Sequence, residues 1–92
     1  MAYTSKYRER VFNAKPLLGN KLGRFAISLD FSVLRIAAAT GATRQTIYNW
    51  FTGSPVAPYY KSAVQVLLSI LIKSKTAEEA WRDTCKEFNI KN

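Results

Sequence analysis

Hydrophobic positions recur along this chain at intervals of three and four. No stretch shows the period-two alternation of a half-buried strand, so the expected class is all-α. Leu22, Phe25, Ala26 and Leu29 form one helical stripe, a first core helix ending near Asp30 and Phe31. Ser32 then stands where a hydroxyl can cap the following helix. Pro58 suits the first position of a helix running to about Lys73, and Thr76-Ala-Glu-Glu79 is a capping box that opens a last helix. Ahead of these, Ser5 to Ala14 is expected to form a short helix using Tyr7, Val11 and Phe12, ended by Pro16. Turns are marked by Pro16, Gly19, Gly41, Gly53, Pro55 and Pro58, and Ser54 to Ala57 reads as a loop. The expectation is a small bundle of about five helices.

The helix from Pro58 is apolar on more than one face. Tyr60, Val64, Leu67, Leu68 and Leu71 define one stripe, while Ala63, Val66, Ile70 and Ile72 line much of another. A second surface must cover the latter. Two candidates are the last helix, with Ala77, Ala80, Trp81, Cys85 and Phe88 on one side, and the same helix of a second subunit.

Between them lies the most informative segment, Val33 to Gly53. It reads as one helix, a glycine turn and a second helix rich in hydrogen-bonding side chains, the outline of a helix-turn-helix. Ala37 is expected where the two helices approach most closely, and Gly41 at the turn, where positive φ costs glycine nothing. Thr43 can cap the second helix. Ile36, Ile47 and Trp50 supply apolar contacts, and the last two share a face. The opposite face carries Arg44, Gln45, Tyr48 and Asn49, which can reach base edges and phosphates.

The pattern Ile-Ala, three residues, Gly-Ala-Thr-Arg-Gln-Thr-Ile-Tyr-Asn-Trp, two residues, Gly resembles the helix-turn-helix of phage repressors of the Cro and lambda-repressor type. The resemblance covers roughly a quarter of the chain directly, or about half with the flanking helices. Thr40 stands where that family usually has an aliphatic residue. The resemblance implies that Arg44, Gln45 and Asn49 read the major groove, and that Thr43 and residues just past the second helix touch phosphate. It also implies a phage-encoded regulator, acting as a homodimer on a palindromic operator.

Tyr48 can pack on a thymine methyl, bond a phosphate, or extend the core beside Trp50. Thr46, Thr52, Ser54, Tyr59, Tyr60 and Lys61 are candidate phosphate contacts, with plain solvation of exposed polar side chains as the alternative. Ile47 and Trp50 belong to the core.

Charge supports a polyanionic partner. The 92 residues carry a net charge of +8. Lys6, Arg8, Arg10, Lys15, Lys21 and Arg24 face only Glu9 in the N-terminal part, whereas Glu78, Glu79, Asp83 and Glu87 nearly balance the C-terminal third. The basic segment either follows phosphates and enters a minor groove or is a solvated arm. Three parts are expected: residues 1–16 as a basic arm or short helix, 17–73 as the helix-turn-helix core, and 74–92 as a C-terminal helix on the core or on a dimer partner.

Cys85 is the single cysteine and histidine is absent, so no metal, cofactor or intramolecular disulfide is expected. Without histidine, a phosphate-cradling glycine loop or a distinctive nucleophile and base, the expectation is a non-enzyme. The greasy run Val64 to Ile72 is too short to span a bilayer, and with the lone cysteine it suggests a soluble protein of a reducing cytoplasm, which the phage resemblance implies is that of a bacterial host. The leading functional expectation is a sequence-specific regulator of transcription that blocks or recruits RNA polymerase. The alternative is a phage factor for protein interaction, DNA packaging or DNA architecture using the same helix pair.

Overall fold

The structure, a computed structural model, describes residues 3–91. Residues 1, 2 and 92 belong to the outer two of the three expected parts and lie outside the described residues. Six helices follow one another: α1 (Ser5–Phe12), α2 (Leu18–Leu29), α3 (Val33–Thr40), α4 (Arg44–Phe51), α5 (Pro58–Lys73) and α6 (Ala77–Glu87). No strand occurs among the described residues. The expected five therefore become six, because the N-terminal segment folds as a full helix and packs on the rest.

Local chemistry sets most boundaries. The hydroxyls of Thr4, Ser32, Thr43 and Thr76 each accept from the backbone N–H three residues on, which satisfies one of the donors orphaned at a helix start. Pro58 opens α5, where its missing N–H costs nothing. Gly41 closes α3 with φ 80°, and its N–H donates to Ala37 O at 2.9 Å. The Thr40 hydroxyl donates to Ile36 O at 2.9 Å and accepts from Ala42 N at 3.3 Å, so this polar residue ties the turn to the helix before it.

α2 ends without glycine. Asp30 takes the left-handed conformation at φ 59°, Phe31 N donates to Ala26 O at 2.7 Å, and Asp30 N donates to Ile27 O at 3.1 Å. This pairing is a Schellman motif with aspartate in the glycine position. It turns the chain so that Phe31 drops fully into the core.

α2 packs on α1, α4 and α5, and α5 packs in turn on α3 and α6. Leu22, Phe31, Ile36, Ile47, Phe51, Val64, Leu67 and Leu71 are buried together. The close approach of α2 and α4 rests on two glycines. A Cβ on Gly19 would lie 2.5 Å from Trp50 Cβ, and one on Gly23 would lie 2.6 Å from Phe51 Cγ. Gly19 therefore marks no turn. It is buried inside α2, and its lack of a side chain lets α4 approach. Ala37, expected where α3 and α4 approach most closely, is half-buried and packed against the core.

Other apolar expectations also shift. Phe25 is 39 % exposed and Phe12 44 %, so neither belongs to the buried core. Each sits at the edge of its stripe, and the Arg24 guanidinium covers the Phe12 ring at 5.7 Å. On the second face of α5, Ile70 packs on the core and Ile72 stays exposed. α6 supplies intrachain cover for α5 and is fastened to α3. Arg35 pairs with Glu78 at 3.1 Å and lies over the Trp81 ring at 5.2 Å, while Trp81 packs against Phe31 at 6.3 Å. Trp81 and Phe88 thus pack against the chain's own core. No helix among the described residues is long and apolar enough to cross a membrane.

Candidate functional site

α3 and α4 are joined by Gly41, Ala42 and Thr43 and pack on each other. α4 buries Ile47, Trp50 and Phe51, so its other side points outward and carries Arg44, Gln45, Tyr48 and Asn49. Gln45 Nε2 donates to Asn49 Oδ1 at 3.1 Å, one turn apart. That bond orders the two exposed amides and leaves Gln45 Oε1 as an acceptor and Asn49 Nδ2 as a donor at the mouth of the turn. An acceptor beside a donor is the pattern needed to meet the edge of a base.

Arg44 is exposed in the first turn and lines a hollow with Tyr48, Ser32, Val33 and Leu34. Tyr48 is the pivot between this hollow and a larger cleft of about 390 Å³ on the other side. The cleft walls come from α4, through Gln45, Tyr48, Asn49 and Thr52, and from the N-terminal segment, through Tyr3, Thr4, Tyr7 and Arg10. α4 therefore does not stand alone, and α1 forms a second wall beside it.

Tyrosines hold that wall in place. Tyr7 Oη donates to Tyr48 O at 3.0 Å, and the two rings meet edge to face at 5.3 Å. Tyr3 is buried and donates to Phe31 O at 2.6 Å. Burial pushes both phenols well above their ordinary value. For Tyr3 the neighbouring Tyr7, Tyr48 and Asp30 add to the shift; for Tyr7, Tyr48 adds and Arg10 opposes it. Both therefore remain protonated donors at neutral pH.

The other end of α1 is held from α2. Asn20, fully buried, donates through Nδ2 to Val11 O at 2.8 Å and to Phe51 O at 2.6 Å, and its Oδ1 accepts from Arg24 Nε at 2.8 Å. Arg24 continues to Phe12 O and Ala14 O, each at 3.2 Å. One buried amide thus joins the C-terminal ends of α1 and α4.

The expected phosphate contacts divide. Thr43 is occupied by its capping bond and also donates to Thr46 Oγ1 at 2.9 Å. Thr52 Oγ1 donates to Tyr48 O at 3.1 Å, so only its acceptor side faces the cleft. Ser54 is exposed, with its N–H bonded to Asn49 O at 3.0 Å. Tyr59 is 86 % exposed at the start of α5, its ring edge-on to Tyr60, which is itself edge-on to Trp50; Lys61 is exposed one turn in. The structure gathers Gln45, Tyr48, Asn49 and Thr52 on one cleft and places Tyr59 and Lys61 outside it.

Sequence reasoning missed Tyr3 and Thr4 altogether, gave Tyr7 only a packing role, and left Arg10 among the charges of an arm. No local pattern marked Tyr3, which precedes the N-cap Thr4 and so lies outside α1, although its ring stacks on Tyr7 at 6.3 Å. Comparison of the chain with protein-family models, curated proteins and solved structures finds no match.

Proposed function

We propose that this chain is a sequence-specific DNA-binding protein that places α4 in the major groove as the second helix of a helix-turn-helix. The observation that carries this reading is the ordered, solvent-exposed Gln45–Asn49 amide pair, with Arg44 exposed on the same helix and a fully buried face behind it. Arginine pairs with guanine edges and an amide with adenine, each good bidentate contact giving roughly 1–3 kcal/mol of discrimination. Tyr48 reaches a thymine methyl or a phosphate, and Ser54, Tyr59 and Lys61 neutralise or bond the backbone at the exit of α4. The +8 charge supplies the sequence-independent part of the affinity. The biological role that follows is regulation of transcription from a bound operator, by two copies where the site is palindromic.

The test is recovery of genomic fragments by the wild-type protein and by Arg44→Ala at about 0.15 M salt, where non-specific binding is already weak. Enrichment of a shared site by the wild type, and its loss in the variant, is the expected result. Equal, featureless recovery by both proteins would overturn base reading by α4.

A further inference from the structure

Two clefts flank the line where α1 meets α4, and Arg10 and Thr52 belong to both. Together they make one continuous groove. Gln45 and Asn49 stand on its first part and Lys6 on its second. Tyr7 lies beside Tyr48, Tyr3 tilts against Phe51 at 6.2 Å, and a Cβ on Gly53 would lie 3.8 Å from Ala14, so the N-terminal segment is held against the C-terminal half of α4.

The groove is preformed. Its upper end is held by the Tyr7 bond to Tyr48 and its lower end by Asn20 and Arg24, which bond carbonyls at the end of α1 and just past it. It is also positively charged. Lys6 and Arg10 are exposed and have no carboxylate within ion-pair distance among the described residues, and Glu9 is the acid on the same wall. The Arg10 guanidinium lies 5.9 Å from the centre of the Tyr7 ring, which biases it toward the cleft shared with Gln45 and Asn49.

We infer that α1 is a fixed phosphate-binding rail, with Lys6 and Arg10 gripping the backbone of the same duplex whose bases α4 reads. The inference rests on the DNA-binding reading above and adds a partner for a helix which that reading leaves idle. A duplex fits this groove better than a free anion does, because Lys6 and Arg10 stand one helical turn apart on α1 and Arg10 shares a cleft with Gln45 and Asn49, so an extended backbone can meet both cations beside the bases that α4 reads. A rail of this kind sets register and affinity without reading sequence. It also replaces the flexible basic arm by a preordered element, so binding orders fewer residues.

The experiment is a salt titration of binding to a labelled mixed-sequence duplex, comparing the wild type with Lys6→Gln/Arg10→Gln. Arg82→Gln/Lys86→Gln on α6 is the charge-matched control, since all four residues are exposed. The slope of log K against log salt should become shallower by about 1.8 in the α1 variant, because each phosphate that is no longer neutralised accounts for about 0.9. It should stay unchanged in the control, and Lys6→Arg/Arg10→Lys should keep the wild-type slope. An unchanged slope in the α1 variant, or an equal fall in both, would overturn the rail while leaving DNA binding intact. Failure of the wild type to bind any duplex would overturn the DNA-binding reading, and the rail with it.

Discussion

Tyr7 donates its hydroxyl to the backbone carbonyl of Tyr48 at 3.0 Å, across forty-one residues of chain, and so fixes the first helix beside the outward face of the fourth. A phenolate cannot make that bond. It would face a carbonyl oxygen with like polarity, and Tyr3 stands in the same position toward Phe31 O.

Stability should therefore decline in alkali. Burial raises both phenols in the folded chain, whereas in the unfolded chain they ionise near the ordinary value of about 10. Below that pH both states hold the proton, and the contribution is fully present. Above it the unfolded state gives up protons that the folded state keeps, so stability falls as pH rises. Urea midpoints measured between about pH 8 and 11 should drop past 10 in the wild type and less steeply in Tyr3→Phe/Tyr7→Phe. An equally steep fall in the double variant would place the alkaline sensitivity in other groups.

Glycine to alanine inside a helix ordinarily gains up to about 1 kcal/mol. At Gly23 the sign should reverse. The new Cβ would lie 2.6 Å from Phe51 Cγ and 2.9 Å from Phe51 Cβ, and no movement of a flexible tip relieves that clash. Gly23→Ala should cost about 1–3 kcal/mol. Gly19→Ala should cost more, because Trp50 Cα and O lie 3.1 Å from its Cβ and backbone must shift. Chemical denaturation of the two variants reads this directly, and a gain in stability at either position would contradict the close approach of α2 and α4.

Those glycines also show where sequence stopped being informative. Ser32, Thr43, Pro58 and Thr76 act on backbone within three residues of themselves, so pattern alone located the starts of α3, α4, α5 and α6. Gly19 and Gly23 acquire their role from Trp50 and Phe51, about thirty residues away, and a single glycine reads equally well as a turn. Phe25 and Phe31 exchange places for a related reason. Periodicity puts Phe25 on the stripe, but the left-handed turn at Asp30 delivers Phe31 to the core instead. At the site, the outward side of α4 was legible from its own sequence. Its neighbour was not, because Tyr3, Tyr7 and Arg10 meet α4 only after the chain has folded through two further helices.

Asn20 is where that tertiary information is most concentrated. Its amide gives hydrogens to Val11 O and Phe51 O in a fully buried setting and accepts one from the half-buried Arg24. Asn20→Ala would leave the buried Phe51 O without this donor, at a cost of about 1–3 kcal/mol, whereas the half-buried Arg24 loses one partner and keeps Phe12 O and Ala14 O. Val11 O keeps a bond from Ala14 N at 3.2 Å, so the loss there is smaller. The damage should be local as well as global. Hydrogen exchange should quicken in α1 and in the last turn of α4 well before α5 and α6, because the removed bonds join those first two elements and touch neither of the others. Uniform loss of protection along the chain would mean that α1 folds and unfolds only with the whole core, and that Asn20 supports general packing rather than the wall beside α4.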